Sequence, residues 1–148
     1  MNIAKLQTEV VKSLATQNRG VAYSEDGDDY LITSDGFSAF RISKKQCYID
    51  MLKVRKLDAL KGMFELTKKM NIAKLSKLRI ASQRGVLVKI DAGNYDVWAQ
   101  QSIFGRFYDE QEIYCEGSAL PVRLVNPVTQ KVDAIVLPVR ISSDYENV

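Results

Sequence analysis

No histidine occurs anywhere in the 148-residue chain. That removes the commonest general base and, with it, serine–histidine and cysteine–histidine nucleophile pairs. Carboxylates remain for acid–base work, gathered in turn sequences such as Asp28-Asp29 and Asp109-Glu110. Acids in turns ordinarily serve as solvated caps, so an enzyme built on them is the minor alternative. Such turns could bind a divalent cation through oxygen, but no Asp/Asn-Gly loop with ligand spacing is present. Cys47 and Cys115 are too few and too far apart for a zinc site or a disulfide framework. Each lies beside a tyrosine in strand-like sequence, where a buried free thiol is the expected state, which in turn implies a reducing, cytoplasmic setting. Gly20, Gly27, Gly36 and Gly85 stand alone in turns and do not form a phosphate-cradling loop. The expectation is therefore a protein with no catalytic residues, no metal and no cofactor.

The chemistry that is present is charge. Lys5, Lys12 and Arg19 recur at heptad spacing, which on a helix at about 100° per residue places three cations on one face. Lys61, Lys68 and Lys69 are predicted to decorate a second helix. The formal net charge of +3 hides a segregation. Lys44 to Arg84 holds twelve Lys or Arg against Asp50, Asp58 and Glu65, and the remainder is acidic overall. Separated charge of this kind can hold a polyanion on one side and repel it from the other. The plainer alternative is a solvated helix face with acidic turns. Tyr95, Trp98, Phe104 and Phe107 can stack on bases as single-strand binders do, or can simply fill a core.

The elements that would position these residues follow from periodicity. Ile3, Leu6, Val10, Val11 and Leu14 form an apolar helical stripe ending near Asn18 and Gly20. Strands are predicted at Val21–Ser24, Tyr30–Thr33 and Phe37–Ile42, separated by glycine turns. A second helix is predicted over Val54–Met70, then strands at Leu78–Ser82, Val86–Ile90 and Tyr95–Ala99. A closing hairpin pairs Leu120–Val125 with Ala134–Arg140. Pro121 and Pro138 cannot donate to a ladder, which marks strand ends or edges. Helix, strands, helix, strands reads as one α+β domain with largely antiparallel sheets. The hexapeptide Met1–Leu6 recurs verbatim as Met70–Leu75, in a different context and so not as proof of duplication. No apolar run approaches the roughly 20 residues of a membrane span, and the start turns polar at once, unlike a signal peptide.

Two segments resemble a known family. Ile32–Ile42 (ITSDGFSAFRI) resembles the strand, Asp-Gly turn and strand of bacterial DNA sliding clamps, roughly A-T-D-G-H-R-L-A. Asp133–Ile141 (DAIVLPVRI) is similar to their closing strand, and Gly105–Asp109 (GRFYD) is a weaker echo of a G-R-F-P-D-Y turn. The resemblance implies a DNA-clamp-like domain, with two helices packed on antiparallel sheets in two similar halves. The halves would be about 1–50 and about 51–141, with a short tail 142–148. Clamp rings close with six domains, so this chain would self-associate as six copies or keep the fold without encircling anything. Phe37 and Ser38 stand where clamps usually carry His-Arg. Clamp partners insert a short hydrophobic motif between the turn of one domain and the closing strand of the next. Carried over, this implicates Ser34, Gly36, Phe37 and Ala39 with Leu137, Pro138, Val139 and Arg140, in a groove assembled between neighbouring subunits.

The expected function is a non-enzymatic DNA-associated processivity or tethering factor of phage or mobile-element type, acting in DNA replication. It would hold DNA through phosphate contacts without sequence preference while a replication protein is tethered to it. The alternative is a protein-interaction module or regulator that binds a replication protein without touching DNA.

Overall fold

The side chain of Asn2 accepts a hydrogen bond from the backbone N–H of Lys5 at 3.0 Å and so caps helix α1, Ile3–Ala15. The computed structural model describes residues 1–16, 20–33 and 35–141, so Arg19 and Ser34 lie outside the described residues. Leu6 and Val10, one turn apart, are fully buried, while Val11, expected on the same stripe, is 43% exposed. Gln7 shares the buried face because both ends of its amide are satisfied. It donates to Gln46 O at 3.1 Å and accepts from Tyr48 N–H at 2.9 Å.

Strands β1 (Ala22–Asp26), β2 (Asp29–Thr33) and β3 (Ser38–Ser43) follow as an antiparallel meander, close to the predicted positions. Gly27 makes the first turn with φ +59° and Gly36 the second with φ +76°, left-handed geometry that favours glycine.

The predicted helix over Val54–Met70 is replaced by a short strand, a short helix and irregular chain. A single 3-10 turn at Met51–Lys53 leads into the two-residue strand β4, Arg55–Lys56, and then the five-residue helix α2, Ala59–Met63. Val54, Leu60 and Phe64 are buried as the apolar spacing required, but the backbone is drawn out to serve the sheet. Strand β4 pairs in parallel with β1, and Leu57 N–H donates to Tyr23 O at 2.7 Å. Asp58 makes no side-chain cap bond, and Gly62 further weakens continuation of the helix.

The rest comprises β5 (Asn71–Ser82), β6 (Gly85–Asp91), β7 (Asp96–Gln100), α3 (Gln101–Phe107), β8 (Glu112–Cys115), β9 (Val122–Val125) and β10 (Val132–Val136). The strands form a ten-stranded sheet in the order β4-β1-β2-β3-β10-β9-β8-β5-β6-β7. Strands β9 and β10 are therefore interior, and of the two expectations for Pro121 and Pro138 the strand end holds and the edge does not: each proline flanks a strand end. The architecture is α+β with three helices rather than two. Helix–strand–strand–strand occurs twice, as α1-β1-β2-β3 and α3-β8-β9-β10, with β3 and β10 side by side at the centre.

Alternation along the central strands sorts the helices onto two faces. Ile32, Phe40 and Ala134 point into the main core with Leu6 and Val10 of α1 and Phe104 and Phe107 of α3. Their neighbours Leu31, Ala39 and Ile135 point the other way, where Leu60 and Phe64 of the α2 region cover them. After β10 the chain crosses the end of the sheet. Leu137 N–H donates to Phe37 O at 2.8 Å and Val139 N–H to Trp98 O at 2.7 Å, covering part of the outer edge of β7. Among the described residues no helix is long and apolar enough to cross a membrane.

Candidate functional site

The residues expected to contact DNA are divided between the two faces. Lys5 and Lys12 are exposed on α1. Between them Glu9 is ion-paired with Arg106 of α3, so this face carries mixed charge. Lys61 is exposed on α2, while Lys68 and Lys69 lie in a turn beyond it rather than on a helix. Since α2 packs on the opposite face of the sheet from α1, the two lysine groups do not make one basic surface.

The Asp-Gly turn is held by its own side chains. Asp35 Oδ1 accepts from Phe37 N–H and Ser38 N–H, both at 2.8 Å, and Ser38 Oγ donates to Asp35 Oδ2 at 2.9 Å. Arg106 adds an ion pair to the same carboxylate at 3.3 Å, fixing the turn against α1 and α3 through one guanidinium.

Behind the turn lies a groove of about 230 Å³. Gly36, Ala39 and Leu137 line it on the sheet side, and Leu57, Leu60 and Met63 line it from the α2 segment. Three residues of the expected partner groove therefore converge, and they do so within one chain rather than between subunits. Phe37 stands beside them with half its surface exposed. Pro138 only links the two sides. Val139 and Arg140 diverge from the groove and line a second concavity.

Sequence reasoning missed the residue that fixes the far wall. Arg123, on β9 and only 5% exposed, donates from Nε to Met63 O at 3.0 Å and from Nη1 to Pro121 O at 3.1 Å. Glu116 lies 3.7 Å away and balances its charge. This ties the end of α2 to the sheet. An arginine in an otherwise apolar strand, Val122–Val125, was the available signal, since a buried guanidinium requires several acceptors.

The turn acids considered for acid–base chemistry are partly engaged. Arg41 Nη1 lies 2.9 Å from Asp26 and 3.0 Å from Asp29, and Arg41 Nε donates to Val132 O at 2.8 Å. The hydrogen bond from Arg41 holds the Asp26 carboxyl below its usual range. Burial pushes the Cys115 thiol up to about 12 and raises that of Cys47. Among the described residues no group of three acidic or sulfur ligands is placed to hold a metal ion. No protein-family model, curated protein or solved structure matches the chain.

Proposed function

We propose that this chain is a non-enzymatic, clamp-like domain that tethers a partner protein by accepting a short hydrophobic segment in the groove between the Asp-Gly turn, the closing segment and α2. One observation carries the reading. The two motifs that resemble sliding clamps, separate in sequence by about a hundred residues, open together onto one preformed and largely apolar groove, with Thr33, Ser38 and Arg55 its polar lining. Leu57, Leu60, Met63 and Leu137 supply aliphatic walls, and burial of one or two apolar anchors between them would dominate the binding energy. The role suited to such a domain is that of a DNA-associated tethering or processivity factor.

The direct test is titration of the isotopically labelled chain with a short peptide carrying two adjacent aliphatic or aromatic residues. Saturable amide shifts at Gly36, Ala39 and Leu137 are expected. Their absence at millimolar peptide would remove the proposal. The separation of Lys5 and Lys12 from Lys61, Lys68 and Lys69 by the thickness of the sheet favours a second reading, in which the domain binds its partner without gripping duplex DNA through its helices. A duplex-binding assay separates the two: Lys5→Ala/Lys12→Ala weakens binding in the first case, and in the second no duplex binding occurs.

A further inference from the structure

Val139, Arg140 and Ile141 form one wall of a second concavity, of about 670 Å³. Its floor is the outward face of the β5–β7 strands. Val88, Ile90, Val97 and Ala99 point inward to the core, so the alternating residues Lys89 and Trp98 point outward, paired across the β6–β7 ladder. Leu78 and Ile80 of β5 extend the apolar part of the floor, and Tyr95 closes one end. Of the four aromatics that could stack on bases, Phe104 and Phe107 are consumed by the core. Trp98 and Tyr95 are the pair that line this space.

The cations around it are placed for an anion. Lys89 is held on the floor by Asp96 at 3.3 Å, and Arg140 is exposed at the rim with no ion-pair partner among the described residues. The adjoining β5–β6 turn adds the exposed Arg84, while Arg79, paired with Val88, lies on the opposite face of the ladder from Leu78 and Ile80. No Asp or Glu interrupts the sequence between Glu65 and Asp91. A half-buried indole flanked by Lys89 and Arg140, with Arg84 beyond them and Asp96 the one carboxylate in the lining, fits an anion that carries planar groups.

We propose that this concavity binds single-stranded nucleic acid, with one base against the Trp98 indole, its phosphate between Lys89 and Arg140, and a neighbouring phosphate towards Arg84 at the β5–β6 turn. The strand must be single, because a ring can enter a pocket on a sheet face only when it is not stacked and paired within a duplex. A purely acidic peptide would satisfy the cations and leave the indole without a planar partner. The site uses different residues from the apolar groove and stands without it.

Trp98 is the only tryptophan in the chain, so its emission reports directly on the site. Titration of the full chain with a twelve-residue oligothymidylate at low salt should quench that emission saturably. Anisotropy of a labelled oligonucleotide should show Trp98→Ala binding at least about fivefold more weakly and Trp98→Phe close to the parent. Arg140→Ala, which alters only an exposed side chain, should weaken binding and lower the slope of log affinity against log salt by about 0.7. Absence of quenching would overturn the proposal. So would an unchanged salt slope in Arg140→Ala, or equal quenching by a glutamate-rich peptide of matched charge. Peptide-induced shifts at Gly36 and Ala39 are measured separately in Lys89→Ala and Trp98→Phe. Their persistence shows that failure here is not failure of the groove.

Discussion

The backbone N–H of Leu137 donates to the carbonyl of Phe37 at 2.8 Å. This bond brings the segment leaving β10 against the start of β3 and makes the groove a property of a single chain. A clamp-type partner site assembled from two subunits would depend on protein concentration. One built within a chain would not.

Substituting Met63 tests the groove without disturbing the core. Met63 is 37% exposed at the groove wall, so Met63→Glu should change stability by no more than about 0.5 kcal/mol. A carboxylate among aliphatic walls should nevertheless abolish the peptide-induced shifts at Ala39 and Leu137. Heteronuclear NMR titration of both proteins checks the two halves of this outcome.

Arg41 joins β3 to the β1–β2 turn and to β10 from a nearly buried position, with its side chain 9% exposed. Its guanidinium also lies 5.7 Å from the centre of the Phe64 ring. Arg41→Ala leaves Asp29, only 15% exposed, without its closest cation. The expected cost is about 3 kcal/mol, at the low end for a broken buried pair because water reaches Asp26. Urea unfolding of the two proteins measures it.

Acid should weaken the same corner first. Asp26 has a lowered carboxyl pKa in the folded chain, chiefly through the Arg41 hydrogen bond, against a reference value of 3.8. The stabilisation it contributes is present above pH 3.8 and is lost as pH falls from there through the folded value. In Asp26→Asn that part of the acid dependence should vanish, leaving a flatter stability profile below pH 4. An unchanged profile would show that Asp26 is not its source.

The two thiols should separate by reactivity. Cys115 is fully buried with its pKa pushed up to about 12, whereas Cys47 is half-buried and less protected. At pH 8 a disulfide reagent should modify Cys47 first, and Cys115 only at the rate of opening or unfolding. Equal rates in the folded protein would contradict the burial of β8 in the core.

The hexapeptide Met1–Leu6 and its copy Met70–Leu75 show where sequence reasoning stops. In the first copy Asn2 caps a helix and Leu6 is buried in it. In the second, Asn71 pairs with Cys115 and Ile72 with Tyr114 in a β-ladder. Identical local preferences give opposite structures because β8 offers a strand edge to one copy and not the other. The loss of the predicted 54–70 helix has the same cause, since β1 needed a neighbour. α1 and the first meander were legible because their apolar stripe and glycine turns are local. Helix α3 was not, because its seven residues bury only Phe104 and Phe107, too short a run to show a helical period. Gly36, Ala39 and Leu137, which line one groove, were brought together in the sequence only through the resemblance. The α2 wall and Arg123 were not, since their roles arise from a sheet order that joins distant residues.

The five residues Leu137–Ile141 separate the groove from the wider concavity, with Leu137 in one, Val139, Arg140 and Ile141 in the other, and Pro138 stiffening the join. Neither occupant can displace this strip without working against the hydrogen bond that anchors the other side. Occupancy of the two sites is therefore expected to be linked, and linkage of this kind is reciprocal. By whatever factor a peptide changes the affinity for an oligonucleotide, the oligonucleotide changes the affinity for the peptide. The domain would then sense whether cargo and strand are held together, rather than merely holding each.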